Sequence, residues 1–499
     1  MSKKSKRRAK SKAEKQNPAR PPAVAAAAPV PPPPKVEPIS AKDDEPDAPL
    51  RHECQLYFDT RDSSYLCKLN GRYIAMKKND IALRMKALGL SDKFYIVTKD
   101  KGSIPQAHFP FYQAQNERMI DYSGPIAGRR VGPFTDSVGK VYLVTDEAAG
   151  VWAPLIKNAA PKFFPALVEE LLPGDQAQHF FFSLALSLRS LRSGDFAPGQ
   201  ATIFAGAPKC GKSLLQHCIT EILGGRSANP FEYLMGEKFN KDLVSAEHWM
   251  VEDPGTSTDI RTRREFGEKI KEATVNRDIR INGKGKDAGL IQIFRRVTIS
   301  VNKEKESLAV CPPMDEGVRD KINLYLCEMV EKAFDPFKDK SGRIDRAALW
   351  GAFRAEVHEI RSWLINTFKK VPRELVDERF GIVAYHHPEI MAELSSMTYE
   401  SRFLELIDEL YFDDDATAPV EKKSSDFQKE LLEHNRFEAE KVLRYPGQCG
   451  SHLSKLWKRD GSIITGQNDD GRPHRVSKRV RDGYTIWTIK PPFKSNEEQ

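Results

Sequence analysis

The residues with the clearest chemical potential form the stretch GAPKCGKS, residues 206–213, which satisfies the phosphate-loop pattern G-x-x-x-x-G-K-[ST]. The run ATIFA before it predicts a buried strand, and SLLQHCITEIL after it predicts a helix. In that setting the loop's backbone N–H groups and the helix dipole would hold a nucleotide's phosphates. The predicted nucleotide-binding residues are Gly206, Ala207, Pro208, Lys209, Cys210, Gly211, Lys212 and Ser213.

Two of these residues have predicted chemical roles. Lys212 would contact the β- and γ-phosphates of ATP, and Ser213 would ligate Mg²⁺. Because such a loop acts through its backbone, we expect no side-chain role for Cys210. The sequence therefore predicts ATP and Mg²⁺ as cofactors.

Two further segments carry candidate catalytic groups. The apolar stretch HWMV runs into Glu252 and Asp253, which would hold the metal's water shell and polarise the attacking water, with Asp253 also a metal ligand. The strand RVTISV ends in Asn302, an amide that would hydrogen-bond the γ-phosphate or the water if its strand lay beside the loop strand. Ordinary strand ends and a structural Asn cap remain the alternatives.

Composition limits the class of protein. The chain has 499 residues, enough for two or three domains, and a formal net charge of +8. Residues 1–20 hold nine Lys and Arg against one Glu, so the basic character belongs to this tail. The seven cysteines form no close CxxC pair or Cys/His cluster, and no apolar run approaches the ~18 residues of a membrane span. We expect a soluble intracellular protein without a membrane partner, cytoplasmic in a bacterial host or nuclear in a eukaryotic one.

The predicted fold class is an α/β P-loop NTPase with a central parallel sheet, flanked by smaller modules. Its predicted parts are a disordered basic and Pro/Ala-rich tail (1–50), a small α+β or mostly-β module (51–150), the ATPase core (151–330), a helical subdomain (331–412), a linker (413–425) and a winged-helix-like domain (426–499).

The last of these parts is predicted to bind DNA. Two helices followed by a basic hairpin are typical of a winged helix, in which residues 451–458 would lie in a groove. Arg472, Arg475, Lys478 and Arg479 would then contact phosphate. A small packing domain with a solvated basic hairpin is the alternative.

The order of GAPKCGKS, HWMVED, the NGKGKDA hairpin and RRVTISVN resembles the superfamily 3 helicases, in particular the helicase part of poxvirus- and phage-type primase-helicases, over residues 165–400. This resemblance implies an AAA+-like ATPase that assembles as a homo-oligomer, usually a hexamer, and moves along single-stranded DNA. It also implies that Lys284 and Lys286 grip DNA on a pore hairpin, and that Arg319 reaches the neighbouring subunit's nucleotide. An exposed lysine turn and a surface ion pair from Arg319 to Asp315 or Glu316 are the alternatives.

The segment ahead of the core is too short for a catalytic primase and lacks its acid pattern. The leading hypothesis is therefore an ATP-dependent helicase of a viral or mobile-element replication system that acts on single-stranded DNA, or on RNA, with a primase or polymerase as a separate partner. A nucleotide-gated DNA-binding or origin-recognition protein with little turnover is one alternative. An unrelated P-loop phosphotransferase is the other.

Overall fold

A computed structural model describes residues 55–69, 71–98, 102–136, 138–234, 240–252, 260–280, 290–412, 418–459, 475–481 and 483–492. The predicted tail (1–50) lies outside these residues, and so do Asp253, Lys284, Lys286 and Arg472. None of the described helices is both long enough and apolar enough to cross a membrane.

The first part of the described chain combines short strands with two helices. The strands are β1 (Leu56–Asp59), β2 (Ser64–Leu69), β3 (Arg72–Met76), β4 (Tyr95–Thr98), β5 (Gly102–Pro105), β6 (Met119–Ile120), β7 (Tyr122–Gly124), β8 (Gly132–Thr135) and β9 (Val141–Val144), and the helices are α1 (Lys78–Ala87) and α2 (Phe109–Glu117). They form a four-stranded sheet, β3-β2-β1-β6, a three-stranded sheet, β7-β9-β8, and the hairpin β4-β5.

Hydrophobic packing continues across the boundary predicted near residue 150. Tyr122 and Tyr142 are buried in the same hydrophobic cluster as residues of the central sheet. The buried Glu247 carboxylate, just before a strand of that sheet, accepts a hydrogen bond from the Gly128 N–H at 2.8 Å and pairs with Arg226. Such a buried charge needs both partners, so the end of the first module is held firmly against the core.

The predicted α/β fold with a central parallel sheet is confirmed. Its elements are α3 (Phe163–Leu171), α4 (Asp175–Ser193), β10 (Ala201–Gly206), α5 (Lys212–Ile222), β11 (Ser227–Ala228), α6 (Phe231–Leu234), α7 (Lys241–Val244), β12 (His248–Glu252), α8 (Ile260–Val275), β13 (Asp278–Arg280), β14 (Leu290–Gln292), β15 (Arg296–Asn302), α9 (Lys305–Leu308), α10 (Glu316–Arg319) and β16 (Ile322–Cys327). The sheet order is β11-β12-β15-β10-β16, and every pair is parallel.

Helices cover both faces of this sheet, as the near-continuous apolar character of its strands requires. Successive residues of β10 alternate between two cores: Ile203 and Ala205 face the cluster that contains α8, and Phe204 faces the cluster that contains α3, α4 and α5. All six residues of β10 are buried. The strand therefore fixes the position of the loop that follows it.

The helical segment after the sheet belongs to the same core rather than to a separate subdomain. Its helices are α11 (Arg346–Thr367) and α12 (Pro388–Ser396). Leu349 and Phe353 of α11 are buried in the cluster that contains α5. The buried Arg361 guanidinium donates to the carbonyls of Ile222 at 2.8 Å and Glu221 at 2.6 Å, which caps the C-terminus of α5. The cluster around α5 therefore continues across the predicted boundary at 330/331.

The C-terminal part begins earlier than the sequence indicates. Its elements are α13 (Tyr399–Tyr411), β17 (Val420–Lys423), α14 (Ser424–His434), α15 (Arg436–Val442), α16 (Gln448–Arg459), β18 (Val476–Arg481) and β19 (Tyr484–Ile489). Helix α13 shares a hydrophobic cluster with α14, α16 and β19. Strand β17 lies inside the predicted linker and pairs with β19 in a sheet of order β17-β19-β18. Residues 413–417 of that linker lie outside the described residues.

Gly206 provides a stability test of the contact between β10 and β16. A Cβ atom at Gly206 would lie 2.5 Å from the backbone oxygen of Cys327, which cannot move without shifting β16. We expect Gly206→Ala to lower the free energy of unfolding by about 1–3 kcal/mol. Gly351 of α11 has open space around its Cα, so Gly351→Ala should instead raise it by about 0.5–1 kcal/mol. Denaturant midpoints measure both, and an unchanged midpoint for Gly206→Ala would contradict the close approach.

Candidate functional site

The phosphate-loop sequence forms the turn between β10 and α5. Gly206 is the last residue of β10, and Lys212 and Ser213 begin α5. Gly211 has φ 122° and Lys209 has φ 65°, a left-handed value that a residue with a side chain seldom adopts. This geometry turns the chain sharply enough to aim the N-terminus of α5 back across the end of the strand, where its free N–H groups attract anions.

Lys212 is folded back onto its own loop. The side chain is buried, with its ammonium donating to the carbonyls of Gly206 and Ala207 at 2.8 Å each and to Asn302 Oδ1 at 3.3 Å. A buried ammonium must have such acceptors. The cation is thus held at the mouth of the loop chiefly by neutral oxygens that an anion would replace.

The sheet register brings Asn302 beside the loop. Asn302 ends β15 and lies directly opposite Gly206 of β10. Glu252 ends β12, one strand further out, opposite Ser300 of β15. Because all these strands are parallel, their carboxyl ends meet at one edge of the sheet, which is where ligands bind in open α/β sheets.

Glu252 has a partner that the sequence did not indicate. Its carboxylate lies 3.5 Å from His217 Nε2, and both side chains are about half exposed, at 42% and 47%. His217 lies on α5, one turn beyond Ser213, and its ring contacts that of Trp350 edge-on, with the centroids 6.2 Å apart. The imidazole therefore links the acid at the sheet edge to α11.

A buried polar network holds α5 against the sheet. His248 of β12 is hydrogen-bonded to Thr220 of α5 at 2.7 Å and to Thr298 of β15 at 2.8 Å. Gln216 of α5 donates to Thr298 at 2.8 Å. Complete burial lowers the pKa of His248 to about 3, so the ring is neutral at pH 7. The loop helix is thereby tied to the two strands that carry Glu252 and Asn302.

A cavity of about 550 Å³ opens over the loop. Lys212, Ser213 and Asn302 line it, and so do residues from beyond the sheet, Phe334, Ile344, Arg346, Leu349 and Trp350. This volume is in the range of small-ligand sites, and a lining that combines polar with apolar side chains suits a molecule that carries both phosphates and a flat ring.

The cavity residues from beyond the sheet were missed by sequence reasoning. They follow the loop by more than a hundred positions, and Leu349 and Trp350 reach it because α11 packs on α5. No motif marks them, since apolar residues at helical spacing are typical of any core helix.

Arg319 lies at the opposite end of the sheet. It precedes β16, whose first residue, Ile322, pairs with Ala201 at the start of β10. The six-residue strand β10 spans about 20 Å, so Arg319 cannot reach the loop of its own chain. Asp315, one of the two acids near Arg319, caps α10 by accepting from the Gly317 N–H at 3.1 Å.

The three predicted phosphate-contacting residues of the C-terminal hairpin that the structure describes differ in their surroundings. Arg475 is largely buried and pairs with Asp408 of α13 at 2.5 Å, so it holds β18 in place. Lys478 lies 3.7 Å above the ring of Trp457 in α16. Arg479 is exposed and pairs with Glu421. The hairpin arms β13 and β14, which flank Lys284 and Lys286, form an antiparallel pair.

Comparisons with known proteins bear on the fold. No family model matches the chain, and no curated protein matches it. A structure of the apo C-terminal region of NrS-1 is similar at 15% identity and a TM-score of 0.50, covering 88% of this chain and 96% of that one. The A form of the same region gives 15% and 0.49 over the same shares. The active helicase Cch of SCCmec type IV gives 10% and 0.30, covering 87% of this chain and 92% of that one. At such identities the similarity to the NrS-1 region at 0.50 shows a shared fold alone.

Proposed function

We propose that this protein is an ATP-driven motor of the superfamily 3 helicase type, which hydrolyses ATP at the interfaces of a ring and moves along single-stranded DNA. The observation that carries the proposal is the register of Gly206 with Asn302, together with the hydrogen bond from Lys212 to Asn302. It puts a polar side chain of a neighbouring strand within reach of the phosphate-binding cation. A phosphate loop that only binds nucleotide has no need of that arrangement.

The loop and cavity fit ATP with Mg²⁺. The N-terminus of α5 and the Lys212 ammonium suit the phosphates, and the exposed Ser213 side chain at the first turn of α5 suits the metal. The apolar side chains of the cavity lining, Leu349 and Trp350 among them, suit a base. Bound Mg²⁺ would neutralise charge on the β- and γ-phosphates. Lys212 would exchange its loop carbonyls for phosphate oxygens.

Glu252 and Asn302 would act on the attacking water and the γ-phosphate. A carboxylate that accepts a proton from water, and an amide that orients the water or the γ-phosphate, are the groups that hydrolysis needs beyond phosphate binding. His217 holds the Glu252 carboxylate at the edge of the sheet. Asp253, proposed as the metal's second ligand, follows Glu252 directly in the chain.

A shared site explains the position of Arg319. Since this arginine cannot reach its own loop, a role in hydrolysis requires that it act on the nucleotide of a neighbouring subunit. Closed rings arise from head-to-tail contacts of this kind, and a hexamer is the proposed assembly. Lys284 and Lys286, on the hairpin between the strands of Glu252 and Asn302, would contact DNA in the ring's channel.

The C-terminal part is proposed as a winged-helix DNA-binding element. Helices α14, α15 and α16 with a sheet of order β17-β19-β18 suit that fold, in which α16 would enter a groove. Lys478 and the exposed Arg479 would contact phosphate, whereas Arg475 serves the domain's own packing. This element would load the motor onto DNA.

Steady-state ATP hydrolysis, with and without single-stranded DNA or RNA, tests the proposal when it is combined with a mass measurement of the ATP-bound complex. We expect hydrolysis that DNA stimulates and a mass of several subunits. A hydrolysis rate that nucleic acid does not change, but that requires a small-molecule acceptor, would instead indicate a phosphotransferase. Changes in DNA affinity or assembly without turnover would indicate a nucleotide-gated DNA-binding protein.

Asn302 should matter for turnover more than for binding. We expect Asn302→Ala to lower kcat by about 10²-fold, because one preorganised polar group is lost from the reacting phosphate or water. The dissociation constant for ADP should change little. Asn276→Ala, at an exposed asparagine outside the cavity, is the matched control. An equal loss in ADP affinity and in kcat would assign Asn302 to loop structure instead.

A further inference from the structure

Two buried thiols meet behind the phosphate loop. Cys210 lies within the loop, and Cys327 ends β16 directly opposite Gly206. A methyl group at Gly206 would lie 2.8 Å from Cβ of Cys327 and 3.1 Å from Sγ of Cys210. Both side chains therefore converge on the small volume that the absent Gly206 side chain leaves free.

The surroundings make the two sulfurs chemically unequal. The Lys212 ammonium lies 3.8 Å from Cys210 Sγ. The hydrogen bond from Cys327, helped by the charge of Lys212, lowers the pKa of Cys210 to about 6, whereas burial raises the pKa of Cys327 well above its usual value. A thiolate is the reactive form of cysteine, so the loop places a nucleophilic sulfur beside a protonated one.

We propose that Cys210 and Cys327 form a reversible disulfide that switches off the nucleotide site when the protein meets a peroxide oxidant. The disulfide is a modification of this chain, whereas its effect on nucleotide rests on the proposed function. The assignment depends on the convergence of the two side chains at Gly206, where Cβ of Cys327 and Sγ of Cys210 lie 2.8 and 3.1 Å from the position that one methyl group would take.

The reaction balances with hydrogen peroxide as the oxidant. The Cys210 thiolate attacks one peroxide oxygen, the O–O bond breaks, and a sulfenic acid and hydroxide form. The Cys327 sulfur then attacks the sulfenic sulfur, the S–O bond breaks, and the leaving hydroxide takes the Cys327 proton to become water. Two sulfurs are oxidised and one peroxide is reduced. A dithiol reductant reverses the step by thiol exchange.

The cavity over the loop reaches the two residues that flank Cys210. The sulfur itself is buried, but the residues on either side of it, Lys209 and Gly211, line the open cavity. Lys209 adopts the left-handed conformation, which stores strain in the loop at this point. A small loop movement would expose the sulfur to the cavity.

The cross-link would oppose nucleotide binding. Lys212 now donates to the carbonyls of Gly206 and Ala207, so binding requires this ammonium and the loop around it to rearrange. A bond from Cys210 to the end of β16 would fix the loop against a fully buried strand. Oxidised protein should therefore bind ADP at least about tenfold more weakly, and a reductant should restore the affinity.

The test treats the full-length protein with hydrogen peroxide, blocks free thiols with N-ethylmaleimide, and maps non-reduced peptides by mass spectrometry. We expect a peptide pair joined through Cys210 and Cys327, and a parallel loss of affinity for a fluorescent ADP. Cys327→Ser should give no cross-link and leave Cys210 as the sulfenic acid. Cys449→Ser, which removes a buried cysteine of the C-terminal part, should cross-link like the wild type.

Two results would overturn the inference: peroxide treatment that never joins these cysteines, or a cross-linked protein that binds ADP as well as the reduced one. Failure of the proposed function looks different. In that case the reduced protein would not bind ADP at all, while the peptide map would still decide whether the thiols pair.

Discussion

Arg319→Ala should lower the rate of ATP hydrolysis by about 10³ to 10⁵, the range for an arginine that stabilises transition-state charge on the transferred phosphoryl group. The dissociation constant for ADP should stay unchanged, because Arg319 lies a full strand length from the loop of its own chain. Arg277→Ala, which removes another exposed arginine of the same core, is the matched control and should leave the rate within about twofold.

Mixing variants shows whether the site is shared. Arg319→Ala subunits keep an intact loop, and Lys212→Ala subunits keep an intact Arg319. Each variant is expected to be inactive alone. A mixture should recover part of the activity at interfaces that join an intact phosphate loop to an intact Arg319. A mixture as inactive as its components would count against a shared site, and full activity of Arg319→Ala would shift the role to another basic residue. Lys321 is a poor substitute, since it is buried and pairs with Asp320.

Lys212→Ala should reduce ATP hydrolysis by at least about 10² to 10³ and weaken nucleotide binding as well. The ammonium is the only cation that the structure places within hydrogen-bond distance of both loop carbonyls and Asn302, among the residues described. Lys212→Arg should fail similarly, because a planar guanidinium cannot occupy the position of a compact ammonium between these acceptors.

Stability must be measured beside activity for these variants, since Lys212 is buried and satisfies two backbone carbonyls. Lys241→Ala removes an exposed lysine outside the cavity and serves as the control for both readouts. Unaltered hydrolysis in a folded Lys212→Ala protein would remove the phosphate loop from the mechanism. A lower melting temperature with an unchanged ADP affinity in the Lys212→Ala protein would indicate that Lys212 stabilises the loop and does not bind nucleotide.

Local sequence was sufficient for the elements around the loop. The apolar run ATIFA, the two glycines and the helical pattern after them specify a strand, a turn and a helix through contacts between near neighbours. The same holds for Asn302 at a strand end, because a polar residue that closes an apolar run predicts its own position. That Asn302 faces Gly206, however, depends on the strand order, which no local pattern encodes.

The sequence predicts the domain boundaries less well than the elements around the loop, for a physical reason. Amino-acid composition shows where exposed segments change to buried ones, whereas packing decides which helices and strands join the core. Helix α11 has an ordinary amphipathic pattern, yet it is part of the core because Arg361 caps α5 and Phe353 fills the cluster around it. Strand β17 lies in a polar stretch and becomes a strand only by pairing with β19.

By itself the sequence determined the phosphate loop, the parallel α/β class and the identity of the polar groups at the ends of the strands, because these follow from spacing and periodicity over short distances. Only the tertiary structure decided which of them meet. It joined Lys212 to Asn302, gave Glu252 its partner His217, assigned Arg475 to packing, and placed Cys327 against Cys210. Those contacts arise from strand order and helix packing, which bring together residues far apart along the chain.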